Sequence, residues 1–277
     1  MTGVIDVGGG MRGIYGAGVF DGFLDSGVSF DKVVGISAGS ANAASFLAGQ
    51  KGRNIRFYEE YSFRKEYMSL KNFIEKGSYV DLQYVYKTLS IKGGEDPLDC
   101  KKIKENPAEL FVLATNAVTG ECTLFTKDDI NEFDYFPLMA SSCLPIVGKP
   151  VFKNGVPYFD GGMSDPVPVK MLCNMGCDKI VLILTKPKDV LRTPGKDAYA
   201  AKLLKKKYPK AAEGLSDRYR LYNEGVLLAK KLEKEGKALI IAPDDCCGVD
   251  TLKRTKESLE ALYKKGYNDS RAALSFI

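Results

Sequence analysis

The sequence predicts an α/β protein with a mainly parallel central sheet. Short apolar runs alternate with segments of helical periodicity from residue 4 to residue 48. Further apolar runs, bounded by turn residues, recur as far as residue 241. A succession of strand, helix, strand and helix is typical of parallel strands that are joined by crossover helices.

The predicted strands are short runs of apolar and β-branched residues. The second of them runs directly into Ser37, and Asn154-Gly155 predicts a two-residue hairpin because both residues tolerate positive φ. Strands are expected at 4–7, 32–36, 110–115, 122–126, 151–153, 156–159, 180–184 and 238–241.

Helices are predicted where apolar residues recur about every 3.6 positions. One begins at Ile14 and ends near Gly27, and a helix of small residues covers 38–48. Residues 52–104 and 196–237 are expected to be largely helical, and a last helix is indicated by Leu252, Leu259, Leu262 and Tyr263. No linker rich in Pro, Gly or Ser divides the chain, so we expect one compact unit.

The composition excludes several kinds of site. Of the 277 residues, 45% are hydrophobic, which suffices for a large core, and the net charge is only +5, so no nucleic acid partner is expected. The sequence contains 0 histidines. Ser-His-Asp triads, Cys-His pairs and histidine-ligated metal sites are therefore excluded.

The cysteines and the N-terminal sequence bear on location. The 7 cysteines include no CxxC pair and no second cluster at zinc spacing, so we expect reduced thiols and no metal site. The sequence MTGVIDVGGG lacks the basic and apolar regions of a secretory signal peptide. These observations predict a cytoplasmic protein.

The segment GGGMRG, from Gly8 to Gly13, fits the pattern GxGxxG between a strand and a helix. A dinucleotide site also needs an acidic residue after the second strand, where Ser37 stands instead. Bare glycines can alternatively bring backbone N–H groups to a developing oxyanion, and Arg12 could order the loop or attract an anionic head group. An oxyanion loop, a phosphate loop and a tight structural turn stay open at this point.

The segment GISAG at 35–39 is a GxSxG pattern at a predicted strand-to-helix junction. Flanking glycines permit the sharp turn that exposes a serine hydroxyl, and the start of the helix supplies N–H groups beside the attacked carbonyl. The alternative is a corner of small residues with no chemical role. The pattern favours Ser37 as a nucleophile.

A serine nucleophile needs a base, and in a chain without histidine the base must be a carboxylate, a lysine or water. Asp160 is the strongest candidate because it follows the predicted strand 156–159 and precedes two glycines. Asp6, Asp165 and Lys149 are the alternatives. An aspartate is a weaker base than imidazole, so it requires direct contact with Ser37.

The three motifs at 8–13, 35–39 and 160–162, in this order and spacing, resemble the patatin-like phospholipase family. The segment ASSCLP at 140–145 is similar to the small-residue block that ends in proline in that family. The resemblance covers residues 3–175, and the rest is similar to the bacterial, uncharacterised branch. One departure is that the acidic residue that often precedes the three glycines is Val7 here, with Asp6 one position earlier.

The resemblance implies a three-layer sandwich in which residues 1–175 form the acyl hydrolase core and 176–277 complete the same unit. It implies Ser37 as nucleophile and Asp160 as base, with no cofactor and no metal. The oxyanion hole would be formed or supported by Gly8, Gly9, Gly10 and Arg12, and the turns around the site by Gly13, Gly35, Gly39, Gly161 and Gly162.

The expected function is hydrolysis of lipid carboxylic esters, of the phospholipase A or lysophospholipase kind. The alternatives are an esterase or thioesterase acting on soluble acyl compounds, a nucleotide-binding protein that uses the glycine loop, and a silent lipid-binding module. Residues 196–237 carry twelve Lys and Arg against six Asp and Glu, which indicates either a solvated surface or a contact with anionic membrane. Six tyrosines could rim an acyl pocket or serve packing alone: Tyr58, Tyr61, Tyr67, Tyr79, Tyr84 and Tyr86.

Overall fold

A computed structural model of the chain describes residues 1–145 and 147–277. Within these residues, 8 strands form a single sheet. The strands are β1 (Thr2–Asp6), β2 (Lys32–Ile36), β3 (Glu109–Asn116), β4 (Cys122–Thr126), β5 (Val151–Lys153), β6 (Val156–Asp160), β7 (Lys179–Ile183) and β8 (Ala238–Ile241).

The sheet is mainly parallel, as predicted. Strands β3, β2, β1, β7 and β8 lie side by side and run in the same direction. The hairpin of β5 and β6 and the strand β4 are antiparallel additions. Parallel strands bring their carboxyl ends to one edge of the sheet, which is where α/β proteins place their sites.

Strand β3 determines which residues meet at that edge. Residues 109–113 pair with all of β2, and residues 114–116 pair with the end of β6. Because β4 pairs with 111–115 and a strand has only two edges, β2 and β6 lie on the same edge of β3, end to end. The last residue of β6, Asp160, therefore comes next to the residue that follows β2, Ser37.

Helices cover both faces of the sheet, which confirms the predicted fold class. Alternate strand residues point to opposite faces: Val4, Val33 and Val181 pack in one core cluster with α1, α2 and α11, whereas Ile5 and Leu182 pack in another with α8 and α10. The helices are α1 (Ile14–Ser26), α2 (Ala38–Leu47), α3 (Arg53–Glu59), α4 (Leu70–Lys76), α5 (Leu82–Tyr84), α6 (Cys100–Glu105), α7 (Phe136–Ser141), α8 (Val169–Asn174), α9 (Lys196–Leu204), α10 (Pro209–Lys234) and α11 (Lys256–Asp269).

One helix prediction is confirmed and another needs correction. The stretch 196–237 is largely helical, as predicted, with a break between α9, which ends at Leu204, and α10, which begins at Pro209, a residue that suits the first turn of a helix. Leu252 lies before the last helix, whose N-cap is Thr255. Among the described residues, none of the helices combines the length and the apolar character that a bilayer span requires.

Candidate active site

Ser37 occupies a sharp corner between β2 and α2. Its φ of 56° and ψ of −132° are rare for a residue with a side chain. The corner is held by hydrogen bonds: the N–H of Ser37 donates to Ser141 Oγ at 2.9 Å, and its carbonyl accepts from Ser40 Oγ at 2.7 Å. A Cβ on Gly39 would lie 2.3 Å from the carbonyl oxygen of Asp6, so the tight turn requires glycine there.

Asp160 lies beside this corner and is fully buried. Its Oδ1 accepts the N–H of Gly162 at 2.8 Å, whereas its Oδ2 has no hydrogen-bond partner in the described part of the chain. Burial raises the pKa of Asp160, and the charge of Arg218 and the hydroxyl of Ser37 oppose that rise. The two groups are thus neighbours, and no hydrogen bond is formed between them.

The other candidates for the base have different neighbours. Asp6 accepts hydrogen bonds from Gly8 and Asn42. Lys149 packs against Gly77. Asp165 accepts a hydrogen bond from the N–H of Val167, and burial raises the pKa of Asp165 to about 6. Among these described residues, Asp160 is the carboxylate that the Ser37 hydroxyl approaches.

The glycine loop packs directly on the serine corner. Gly8, Gly9 and Gly10 have φ of 62°, 137° and 62°, and a Cβ on Gly8 would lie 2.3 Å from the carbonyl oxygen of Ile36. The N–H of Gly8 donates to Asp6 Oδ1 at 2.8 Å. Asp6, which stands one position before Val7, thus orders the loop. Burial raises the pKa of Asp6 to about 6.

Three backbone N–H groups at the mouth of the site have no acceptor within the described residues: those of Gly9, Gly10 and Ala38. Gly10, Ala38 and Ser37 line one cavity. N–H groups left without a partner at a partly exposed turn are suited to stabilise an oxyanion. Gly8 differs from them, because its N–H is already bound.

Arg12 supports the loop from behind. A Cβ on Gly9 would lie 3.4 Å from an Nη atom of Arg12, and the guanidinium pairs with Asp250 and donates to Thr251 Oγ1 at 3.2 Å. The carbonyl of Thr251 accepts the N–H of Met11 at 3.0 Å. Asp250 and Thr251 were missed by the sequence analysis, because no local pattern links them to a loop some 240 residues earlier.

An apolar cavity of about 80 Å³ opens beside Ser37. Tyr58, Tyr67 and Tyr86 line it, whereas Tyr61, Tyr79 and Tyr84 do not. Its remaining walls are mostly aliphatic and include Leu82, Val85, Leu98, Leu138 and Leu252. Walls of this apolar character suit an acyl chain. Among the described residues, no group of His, Cys, Asp or Glu side chains is arranged to hold a metal ion.

Comparison with known proteins identifies the family of the chain. The family model described as patatin-like phospholipase matches residues 7–172, more than half of the chain. The chain belongs to the patatin-like phospholipase family. This confirms the resemblance that the three motifs predicted, and family membership supports the predicted class of enzyme, a carboxylic ester hydrolase. A second model, a domain of unknown function named DUF6363, matches residues 208–277.

Two further proteins are similar to this chain over part of their own length. The protein described as uncharacterized protein YjjU of Escherichia coli (strain K12) is 28% identical over 189 residues, which are 68% of this chain and 52% of that protein. The chain thus spans about half the length of this curated relative. The crystal structure of VipD from Legionella pneumophila aligns with 99% of this chain and 66% of its own, with 14% identity and a TM-score of 0.49.

Proposed function

We propose that the protein is a serine acyl hydrolase that cleaves carboxylic esters of lipids through an acyl-serine intermediate. One observation supports this most strongly: Ser37 stands in a strained corner between an unpartnered carboxylate oxygen of Asp160 and an apolar cavity. The nucleophile, its base and the space for an acyl chain are therefore adjacent. The dyad does not depend on a histidine.

In the first step, Ser37 Oγ attacks the ester carbonyl while Asp160 Oδ2 takes the hydroxyl proton. The raised pKa of the buried carboxylate makes it a stronger base than an exposed aspartate. Negative charge then develops on the carbonyl oxygen, and the N–H groups of Gly9, Gly10 and Ala38 stabilise it, each by about 3 kcal/mol. Gly8 and Arg12 hold the loop in shape.

In the second step, the tetrahedral intermediate collapses, the bond to the leaving alcohol breaks, and Asp160 returns the proton to that alcohol. Water then attacks the acyl-serine with Asp160 again as base, and the fatty acid leaves. Each proton that Asp160 accepts is given back within the same half-reaction. The cycle requires no metal or cofactor.

Replacement of the nucleophile tests the proposal. Ser37→Ala should abolish ester hydrolysis and labelling by a fluorophosphonate, because both need the same hydroxyl. Ser216→Ala, an exposed position on α10, is the matched control and should keep both. Undiminished hydrolysis by purified Ser37→Ala protein would overturn the proposal.

The substrate's physical state separates the main alternatives. An esterase or thioesterase for soluble compounds would use the same dyad but would prefer short monomeric esters to micellar ones. The nucleotide-binding alternative is less favoured, because the N–H of Gly8 is bound to Asp6 and the loop packs on Ser37. A silent lipid-binding module would give no acyl-enzyme with a fluorophosphonate.

A peripheral contact with a lipid surface forms part of the proposal, and helix α4 supports it. Leu70, Phe73 and Ile74 are 72%, 51% and 81% exposed, whereas Asn72 is buried and donates to the carbonyl of Glu66 at 3.0 Å. A surface helix normally buries its apolar residues and exposes its polar ones. An exposed apolar face of this kind suits contact with a lipid surface. The backbone N–H of Tyr79, which follows the helix, donates to the carbonyl of Val147 in the cavity wall at 2.8 Å, so the segment after α4 contacts that wall.

The basic stretch 196–237 is a weaker candidate for the lipid contact. Several of its charges pair within α10, for example Lys210 with Glu213 at 3.0 Å and Arg220 with Glu224 at 2.8 Å. Such pairs are typical of a solvated helix surface. We therefore assign the lipid contact to α4.

A further inference from the structure

Helix α10 belongs to the region that matches the domain of unknown function, and it packs against the turn that follows Asp160. A Cβ on Gly214 would lie 2.9 Å from the carbonyl oxygen of Met163, so a glycine at this position lets the helix approach the turn closely. Arg218 comes four residues later and therefore lies on the same face of the helix. The packing of α10 thus brings the side chain of Arg218 to the turn beside the proposed base.

Arg218 and Asp160 face each other across Gly162. A Cβ on Gly162 would lie 3.1 Å from Asp160 Oδ1 and 3.3 Å from Arg218 Nη2. The two charged groups are therefore separated by about the space of one methyl group, and the glycine puts no side chain between them. Within the described residues, Arg218 forms an ion pair with Asp197, at 3.7 Å. Because Asp197 is more exposed than Arg218, solvent screens its charge and it neutralises Arg218 only in part.

Charged and titratable side chains reach Asp160 from three elements in the described part of the chain. Arg218 comes from α10, Arg192 from the segment after β7, and Cys143 from the segment after α7. Burial raises the pKa of Asp160, whereas Arg218 and, more weakly, Arg192 lower it. Burial, with the charge of Asp160, raises the pKa of Cys143 to about 12, so this thiol carries no charge at neutral pH. Arg218 is thus the stronger of the two cations that act on the carboxylate.

A buried carboxylate must lose its own proton before it can accept one from Ser37. Burial disfavours the ionised form, because a charge is poorly solvated in an apolar environment. A positive charge at about 4 to 6 Å favours that form and typically lowers the pKa of a carboxyl by about 1 to 3. The proposed base therefore needs a cation that is near but not in contact, since a direct ion pair would make the carboxylate too weak a base.

We propose that Arg218 is a positioning residue that keeps the carboxylate of Asp160 ionised, and that residues 208–277 thereby complete the active site. The inference rests on the proposed function and gives a role to the region that matches the domain of unknown function. The same region contacts the other half of the site, because the carbonyl of Thr251 accepts the N–H of Met11 at 3.0 Å and Thr251 lines the cavity. Ester hydrolysis should therefore depend on a region that carries none of the three motifs.

The fall of kcat/KM on the acid side of the pH profile measures this role, with a monomeric chromogenic ester as substrate. Arg218→Gln should move that fall to a pH higher by about 1 to 3, because the carboxylate loses the charge that favours its ionised form. Below the new value kcat/KM should be reduced about 10-fold or more, and above it the activity should return. A loss of packing alone would lower the rate at every pH.

Matched variants separate charge from shape. Arg218→Gln should fold, because the Nε of Arg218 makes no hydrogen bond among the described residues and Asp197 is partly exposed; melting temperatures verify this. Arg218→Met is a second neutral replacement and should shift the profile alike, whereas Arg218→Lys keeps the charge and should shift it less. Arg220→Gln, on the same helix but paired in solvent with Asp217 and Glu224, should leave the profile unchanged. An equal shift in Arg218→Gln and Arg218→Lys would overturn the proposal.

Titration of Asp160 itself separates this proposal from the proposed function. In protein that carries isotope-labelled aspartate, the carboxyl NMR signal that is absent from Asp160→Asn belongs to Asp160, and it can be followed against pH. The pKa of Asp160 should rise by about 1 to 3 in Arg218→Gln and stay unchanged in Arg220→Gln. An unchanged pKa in Arg218→Gln refutes the role of Arg218, whatever the rates are. A raised pKa without a matching change in the rate profile contradicts Asp160 as the base, and so the proposed function.

Discussion

Replacement of Asp160 by Asn removes the proposed base with little change of shape. The amide oxygen can still accept the N–H of Gly162, which is 2.8 Å from Oδ1 in the native chain. The variant should therefore fold, with a melting temperature within about 5 °C of the native value. What it loses is the acceptor for the Ser37 proton.

The expected loss of kcat is about 10³- to 10⁴-fold, the upper part of the range for a general base. The upper part applies because Asp6 is bound to Gly8 and Asn42 and cannot take over. The assay is hydrolysis of a monomeric chromogenic ester, followed by the rate of fluorophosphonate labelling of Ser37. Labelling should slow as well, because it needs the same proton transfer.

Asp165→Asn is the matched control for this experiment. Asp165 is a second largely buried carboxyl with a raised pKa, and its hydrogen-bonding neighbour is Val167. Its replacement should leave kcat within a few-fold of the native value. A folded Asp160→Asn protein that kept more than a tenth of the native kcat would refute the assignment of the base.

Three further predictions concern pH, the glycine loop and the lipid contact. Because burial raises the pKa of Asp160 and only the ionised carboxylate accepts a proton, kcat/KM should fall as pH decreases through a value above the ordinary 3.8; a profile flat down to pH 4 would contradict this. Gly10→Ala should lower kcat at least 10-fold, because Gly10 has φ of 62° and the added Cβ would lie 2.3 Å from a backbone oxygen. The control is Gly155→Ala, which has φ of 78° and open space around it and should cost stability alone. Phe73→Trp introduces a single tryptophan into a chain that has 0, and the emission of this tryptophan should shift to the blue when phospholipid vesicles are added. The emission of the control variant Leu227→Trp, on α10, should not shift. The reverse result would assign the lipid contact to the basic stretch.

Local patterns were sufficient to predict the strands and the serine corner. Strands β2, β4, β5 and β8 begin and end at the predicted residues, because each is a short apolar run with turn residues on both sides. The Asn154-Gly155 hairpin has positive φ at both residues, as predicted. The positions of Ser37 and Asp160 followed from the ends of two such strands.

Other features depend on contacts between distant parts of the chain. The helices between 52 and 104 are short, and pairings between distant residues, such as Arg56 with Asp96 at 2.8 Å, hold their connections in place. Asp250 and Thr251, near the end of the sequence, contact the glycine loop through Arg12 and Met11. Spacing within a motif carries no information about such partners.

Strand β3 contributes neither of the reacting groups, yet both depend on it. One stretch of its edge aligns the strand that ends at Ser37, and the next aligns the strand that ends at Asp160. The pairing along β3 thus sets the separation of the proposed nucleophile and the proposed base, residue by residue. We expect insertion of a single residue near Leu113 to abolish ester hydrolysis although it changes no motif, and screening such insertions would reveal how finely that spacing is set.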